Sequence, residues 1–325
     1  MVRKIFFTIL FLIPFCLMLY YGKETFYIDQ QAATQEMYDY HFALVTEEVG
    51  NNYWHFIEKG AKQAAEEHNV YLEYVGPKVT DTDERLDTLD RMIAANVDAI
   101  ITKGMSDPRF RQLVQKAKEH QIPVATIDTD NSGSGRDFYV GTDNFEAGYL
   151  AGKTMIEETE GEQKVVAIIG LKDAQNQMER LEGFEEAISQ EERIELVAVA
   201  ESNITELGAA DATYQLLKSR SDITAIFGIS ALDGMGIVQA IDEFQPTTRP
   251  YVLAFDILPE TLELIEDDKI QATIAQYPEE MGKMAVKEMY QLHQKDQPEN
   301  IHHTKTGVIK KEDVMNGEVF LKEGE

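Results

Sequence analysis

Five polar residues stand where apolar runs of the sequence stop: Glu47, Lys103, Asp128, Ser230 and Asp256. An ionised carboxylate only accepts hydrogen bonds, a lysine ammonium only donates them, and a serine hydroxyl does both. One polar residue at such a place is ordinary. Several that converge, drawn from both halves of the chain, point to a polar cleft built for a small ligand. The pair Asp128 and Asp256 also has the residue types that glycoside hydrolysis uses. No nucleophile elbow, phosphate loop or dinucleotide fingerprint accompanies it, and Ser132-Gly133-Ser134-Gly135 is a loop with no following Lys. The seven His show no metal-ligand spacing, and His302-His303 reads as a loop pair. No catalytic residue, metal or cofactor is expected.

The runs that deliver these residues alternate with amphipathic stretches. Strands are expected at Phe42–Glu47, Val70–Val75, Ala99–Lys103, Val124–Asp128, Val165–Gly170, Leu196–Ala200, Ala225–Ser230 and Val252–Asp256. Helical periodicity falls between them at Glu58–His68, Glu84–Asn96, Arg109–His120, Phe145–Glu158 and Arg180–Gln190. Short Val/Ile/Ala strands with helical crossovers predict an α/β chain whose parallel sheets are covered on both faces. Read along the chain alone, the series makes two successive doubly wound units, the first ending near Asp143. Ligands of such sheets sit beyond the carboxyl ends of the strands.

Length and composition agree. The 325 residues, 43% hydrophobic and 27% charged, suffice for two domains with their own cores. Thirty Lys+Arg against 58 Asp+Glu give a net charge of −28, which opposes binding to nucleic acid. The single cysteine, Cys16, removes any disulfide or thiol chemistry from the body.

Cys16 lies in an apolar run, Ile5 to Tyr21, that follows Arg3 and Lys4. Basic residues before such a run keep the N-terminus inside and export the remainder. No pair of small residues marks a cleavage site, and Phe15 stands where a lipobox carries a small residue. Residues 1–21 are therefore expected to remain as a signal anchor in the cell membrane, with 22–38 as a polar tether.

Four sequence motifs then fall in a recognisable order: Asn51-Asn52-Tyr53-Trp54, Ile122-Pro123-Val124-Ala125-Thr126-Ile127-Asp128, Arg180-Leu181-Glu182-Gly183-Phe184, and Leu253-Ala254-Phe255-Asp256 with Gln271 to Pro278. Over roughly residues 40–310 the chain resembles the periplasmic sugar-binding proteins of the ribose/galactose type, which share a fold with lac-repressor-like effector domains. The resemblance implies two Rossmann-like, doubly wound lobes joined by a three-segment hinge, with a ligand cleft between them. It places the crossings near Thr142, Gln276 and Lys305. One lobe would be 40–142 plus 277–305, and the other 143–276 plus 306–325. It also implies a ligand set of Asn51, Tyr53, Trp54, Asp128, Arg180, Ser230, Asp256 and Gln276.

These residue types suit a monosaccharide or a related polyhydroxylated molecule. The carboxylates accept hydroxyl protons, Arg180 and Asn51 donate, Gln276 does both, and the aromatic faces cover apolar CH surface. Each residue also has a plainer reading. Trp54 could be helix packing, Asp128 and Asp256 N-caps, Arg180 an exposed helix residue or an ion-pair partner, and Gln276 a hinge residue only. The chain departs from the ribose pattern at Thr129, where the pattern has Arg, at Ser230, where it has Asn, and at Ile204, where it has an aromatic. Lys103 and Glu47 are candidates to supply part of that difference. The expected partners are a membrane sensor kinase or, alternatively, an ABC permease. A ligand-free interaction scaffold is the remaining alternative.

Overall fold

The computed structural model describes Met18 and residues 38–296, 298–317 and 319. The expected anchor (apart from Met18), Cys16 and nearly all of the tether lie outside the described residues, as does the end of the chain. Among the described residues, no helix is long and apolar enough to cross a membrane.

The chain runs β1 (Tyr40–Val45), α1 (Asn52–Glu67), β2 (Val70–Val75), α2 (Thr82–Ala94), β3 (Ala99–Thr102), α3 (Pro108–Glu119), β4 (Val124–Ile127) and β5 (Phe138–Thr142). It continues with α4 (Asn144–Glu158), β6 (Gln163–Ile169), α5 (Gln175–Ile188), β7 (Ile194–Glu201), α6 (Glu206–Ser219), β8 (Ala225–Gly228), α7 (Asp233–Phe244) and β9 (Tyr251–Phe255). The last described elements are α8 (Pro259–Glu266), β10 (Ala272–Ala275), α9 (Pro278–His293), β11 (Ile301–Thr304), β12 (Gly307–Lys310) and α10 (Lys311–Asn316).

Two six-stranded sheets result, in the orders β11-β5-β4-β3-β1-β2 and β12-β10-β9-β8-β6-β7. All ladders are parallel except β10 with β12, where Ala272 faces Lys310 and Ala275 faces Gly307. That antiparallel edge departs from the all-parallel expectation. The simple reading of two successive units also fails. Strand β11, at the far end of the chain, extends the first sheet beside β5, and α9 packs on α1. The chain thus leaves the first sheet after Thr142, returns after Ala275, and leaves again between Thr304 and Gly307.

Both faces of each sheet are covered, which explains why the strands read as continuous apolar runs. Phe42 and Leu44 point into one core under α1 and α9, while Ala43 and Val45 point into the other under α2 and α3. Val165, Ala167 and Ile169 alternate in the same way with Val166 and Ile168 in the second sheet. The first four helices start at side-chain caps. Asn51 accepts from Tyr53 N–H, Asp81 from Glu84 N–H, Asp107 from Arg109 N–H, and Asp143 from Glu146 N–H. The cap at Asn51 starts α1 six residues before the periodicity suggested.

Four strands escaped the sequence reading. β10, β11 and β12 have only four residues each, and β5 contains a glycine. His302 and His303 lie within edge strand β11, not in a loop.

Candidate functional site

The strand ends of the two sheets face each other across a cavity of about 560 Å³. Glu47, Asn51, Tyr53, Trp54, Lys103 and Asp128 line it from the first lobe. Arg180, Ser230 and Asp256 line it from the second, and Gln276 from the crossing between them. All eight residues expected to bind ligand therefore line one cavity.

Asp128 and Asp256 occupy equivalent places, one residue beyond β4 and one beyond β9. Both are in the left-handed region, with φ of 67° and 71°. Such a conformation costs a non-glycine residue on the order of 1 kcal/mol, and it turns each carboxyl out of the strand. Neither residue caps a helix. Asp128 accepts from the Tyr53 hydroxyl at 2.9 Å and from Thr129 Oγ1 at 2.9 Å. Asp256 is 3% exposed, and its Oδ1 has no hydrogen-bond partner among the described residues. Burial pushes the Asp256 carboxyl up to about 7, against the pull of Arg180 and the Gln276 amide, and the charge of Asp128 adds to the rise.

Arg180 is buried, which removes the reading of it as an exposed helix residue. Gly148 of α4 makes room for it, because a Cβ there would stand 1.9 Å from the Arg180 carbonyl oxygen. Its guanidinium lies 3.8 Å from the centre of the Phe255 ring. Nε donates to Asn144 Oδ1 at 2.9 Å, Nη1 to the Ile229 carbonyl at 3.1 Å, and Nη2 to Gln276 Oε1 at 3.3 Å. Gln276 Oε1 also accepts from Thr142 Oγ1 at 2.9 Å, so two of the crossings are tied together. Gln276 thus has a hinge contact and a place in the cavity wall at once.

Asn51 spends its carbonyl oxygen on the helix cap, leaving its amide N–H groups for the cleft. Trp54, 3% exposed, belongs to the core beneath the cleft while one edge reaches the cavity. The Ser230 hydroxyl is buried without a hydrogen-bond partner among the described residues. Behind it, burial raises the Asp233 carboxyl to about 6 although the Ser230 backbone N–H donates to it at 2.8 Å. Lys305, at the last crossing, lies near enough to Glu280 to attract its carboxylate. Ile204 lines the cavity from the second lobe.

Sequence reasoning missed Asn144, which orients Arg180, and Asn176 and Gln177, which line the cavity. Positions 176 and 177 precede Arg180 by four and three residues, the helical spacing for one shared face, so that signal was available. Among the described residues, no group of three His, Cys, Asp or Glu side chains is placed to hold a metal ion.

Two covered, mostly parallel sheets with a polar cleft between their strand ends define the two-lobed solute-binding fold. A family model described as a periplasmic binding protein domain matches residues 42–297, and the chain belongs to that family. The "Ribose import binding protein RbsB" of Bacillus subtilis (strain 168) is 24% identical over 247 residues, covering 76% of this chain and 79% of that one. GanP, a glucose-galactose binding protein from Geobacillus stearothermophilus, is 43% identical with a TM-score of 0.81. The match covers 84% of this chain and 98% of that one. A chain of the XylFII-LytSN complex is 33% identical with a TM-score of 0.78, covering 84% and 98%.

Proposed function

We propose that the chain is an extracytoplasmic, membrane-anchored receptor that closes on one monosaccharide or related polyhydroxylated molecule and presents the closed form to a membrane sensor kinase. It performs no chemistry of its own. The observation that carries this reading is the convergence of Asp128, Asp256, Arg180 and Gln276 on one cavity from both sheets. Two carboxyls, a fixed guanidinium and an amide match a ligand whose every hydroxyl donates and accepts. The lobes are 40–142 with 277–305 and 143–276 with 306–325, turning about Thr142, Gln276 and Lys305. A ligand that touches both lobes stabilises the closed arrangement by its higher affinity for it. The likeness to GanP makes D-glucose and D-galactose the first sugars to test.

The anchor reading rests on Arg3, Lys4 and the uncharged run Ile5 to Tyr21, with no small-residue cleavage site. A body fixed at the membrane suits a sensor's ligand-reading subunit, and a relative that forms a complex with a second protein, LytSN, supports that role. The import protein from Bacillus subtilis supports a second reading, the binding component of a sugar ABC transporter. Deleting the gene separates them. A sensor role predicts that sugar-dependent induction is lost while uptake by already expressed permease persists. Lost uptake with intact induction would support the transporter.

A further inference from the structure

The ion pair of Glu47 with Lys103 lines the cleft, yet the ligand set proposed above leaves it without a role. Lys103 Nζ lies 2.8 Å from Glu47 Oε2 and 3.9 Å from Asp128 Oδ2. Arg85 Nη1 lies 3.5 Å from Glu47 Oε1, behind the pair and with a side chain only 7% exposed. The side chains of Lys103 and Glu47 are 14% and 18% exposed, and both reach the cavity. They stand just beyond the neighbouring strands β3 and β1, where Thr102 pairs with Val45, so the sheet fixes their separation.

Charge and hydrogen-bond capacity narrow what such a pair can read. Arg85 and Lys103 balance Glu47 and Asp128, two charges against two. A carboxylate or ammonium group of a ligand would leave a charge uncompensated in a partly buried site, whereas a neutral group would not. A hydroxyl can donate to Glu47 and accept from Lys103 at the same time. Glu47 is kept ready for this. Burial opposes its ionisation, but Lys103, Arg85 and a hydrogen bond from Trp54 outweigh burial and hold its carboxyl below the usual range.

We infer that Glu47 and Lys103 form a hydroxyl-reading pair that selects hexoses over the matching pentoses. The pair binds the one hydroxyl by which a hexose exceeds the pentose of the same ring stereochemistry. The ring hydroxyls common to both are served by Asp128, Asp256, Arg180, Gln276 and Asn51. This assignment rests on the monosaccharide reading of the cleft.

The test is calorimetric titration of the full chain with D-galactose, L-arabinose (the same ring without the hydroxymethyl group) and D-fucose (a methyl in its place). D-glucose and D-xylose make a second matched pair. The wild type is expected to bind the hexose on the order of a hundredfold more tightly than the pentose or the 6-deoxy sugar. Glu47→Gln and Lys103→Met are each expected to cut the preference for the hexose over L-arabinose and D-fucose about tenfold or more. Retained pentose binding also reports an intact fold. Variants that lose pentose and hexose alike would overturn the pair's assignment. Should the variants unfold, equal wild-type affinity for D-galactose and D-fucose would overturn it alone. Wild-type binding without hexose preference sinks this inference and leaves the receptor reading standing; no binding of any monosaccharide sinks both.

Discussion

Asp128 and Asp256 are the same structural device built twice. Each follows a central strand in a left-handed conformation, and each N–H donates to the next strand, to the Val140 carbonyl at 3.0 Å and the Ile274 carbonyl at 2.8 Å. Each carbonyl is also held, Asp128 by the Tyr139 hydroxyl at 2.8 Å and Asp256 by Thr273 Oγ1 at 2.7 Å. The two strained turns aim one carboxyl from each lobe into the cleft.

Removing Asp256 or Arg180 from the cavity wall should disable binding. Asp256→Ala and Arg180→Ala each leave a buried charged or polar partner uncompensated. An affinity loss of about 2–5 kcal/mol is expected by calorimetry. Arg180→Lys should also fail to restore affinity, because an ammonium cannot reproduce the stack on Phe255 and the three separate hydrogen bonds. Near-normal affinity in both alanine variants would place the ligand elsewhere.

The pH dependence of stability and of affinity should run in opposite directions. Asp256 has a folded-state value of about 7 against an ordinary 3.8, and Asp233 about 6. Between the ordinary and the raised value, the folded protein binds more protons than the unfolded chain. The stability from the neutral carboxyls is therefore complete below about 3.8 and is lost as pH rises through 6 and 7. Each group contributes a slope of up to about 1.4 kcal/mol per pH unit. A ligand hydroxyl donates more strongly to the Asp256 carboxylate than to the neutral carboxyl, so affinity should strengthen over the same rise. Thermal melts of the unliganded protein and titrations from pH 5 to 8 measure both trends; Asp256→Asn should flatten the affinity trend and leave only the Asp233 part of the stability trend.

Gln276 couples ligand to hinge through one oxygen shared by Thr142 and Arg180. Gln276→Ala strips both donors of their acceptor. A loss of about 1–3 kcal/mol in affinity is expected. Ligand-induced compaction, read by small-angle scattering, should shrink with it. Normal compaction at saturating ligand would show that the crossing does not need this bond.

The glycine at 141 is required by the tyrosine two residues before it. A Cβ there would stand 2.0 Å from the Tyr139 hydroxyl oxygen. Gly141→Ala should cost about 1–3 kcal/mol in denaturant unfolding. Tyr139→Phe, which loses the hydroxyl's bonds to the Asp128 carbonyl at 2.8 Å and the Thr142 carbonyl at 3.4 Å, should cost about 0.5–1.5 kcal/mol.

The central strands and the two aspartates were legible because their signals are local. Val/Ile/Ala runs ending in a polar residue follow directly from burial on both faces and exposure at the tip. The left-handed turns were not legible, since Asp128-Thr129 and Asp256-Ile257 carry no glycine to announce them. Arg85 sits in the charged run Asp81-Thr82-Asp83-Glu84-Arg85 and reads as a solvated helix face. Its burial against Glu47 depends on which helix face meets the sheet. Asn144 looks like part of a helix cap, and only the fold brings Arg180 to it across 36 residues. Strands β11 and β12 are short and partly polar, so nothing local separates them from loops.

Trp54, the chain's one tryptophan, reaches the cavity wall, so its fluorescence reports directly on whether a sugar occupies the cleft. Titrating the full chain with D-glucose and D-galactose should give a saturable change with one-to-one stoichiometry, abolished in Asp256→Ala. No change and no heat of binding with any hexose, pentose or related polyhydroxylated molecule would contradict the account.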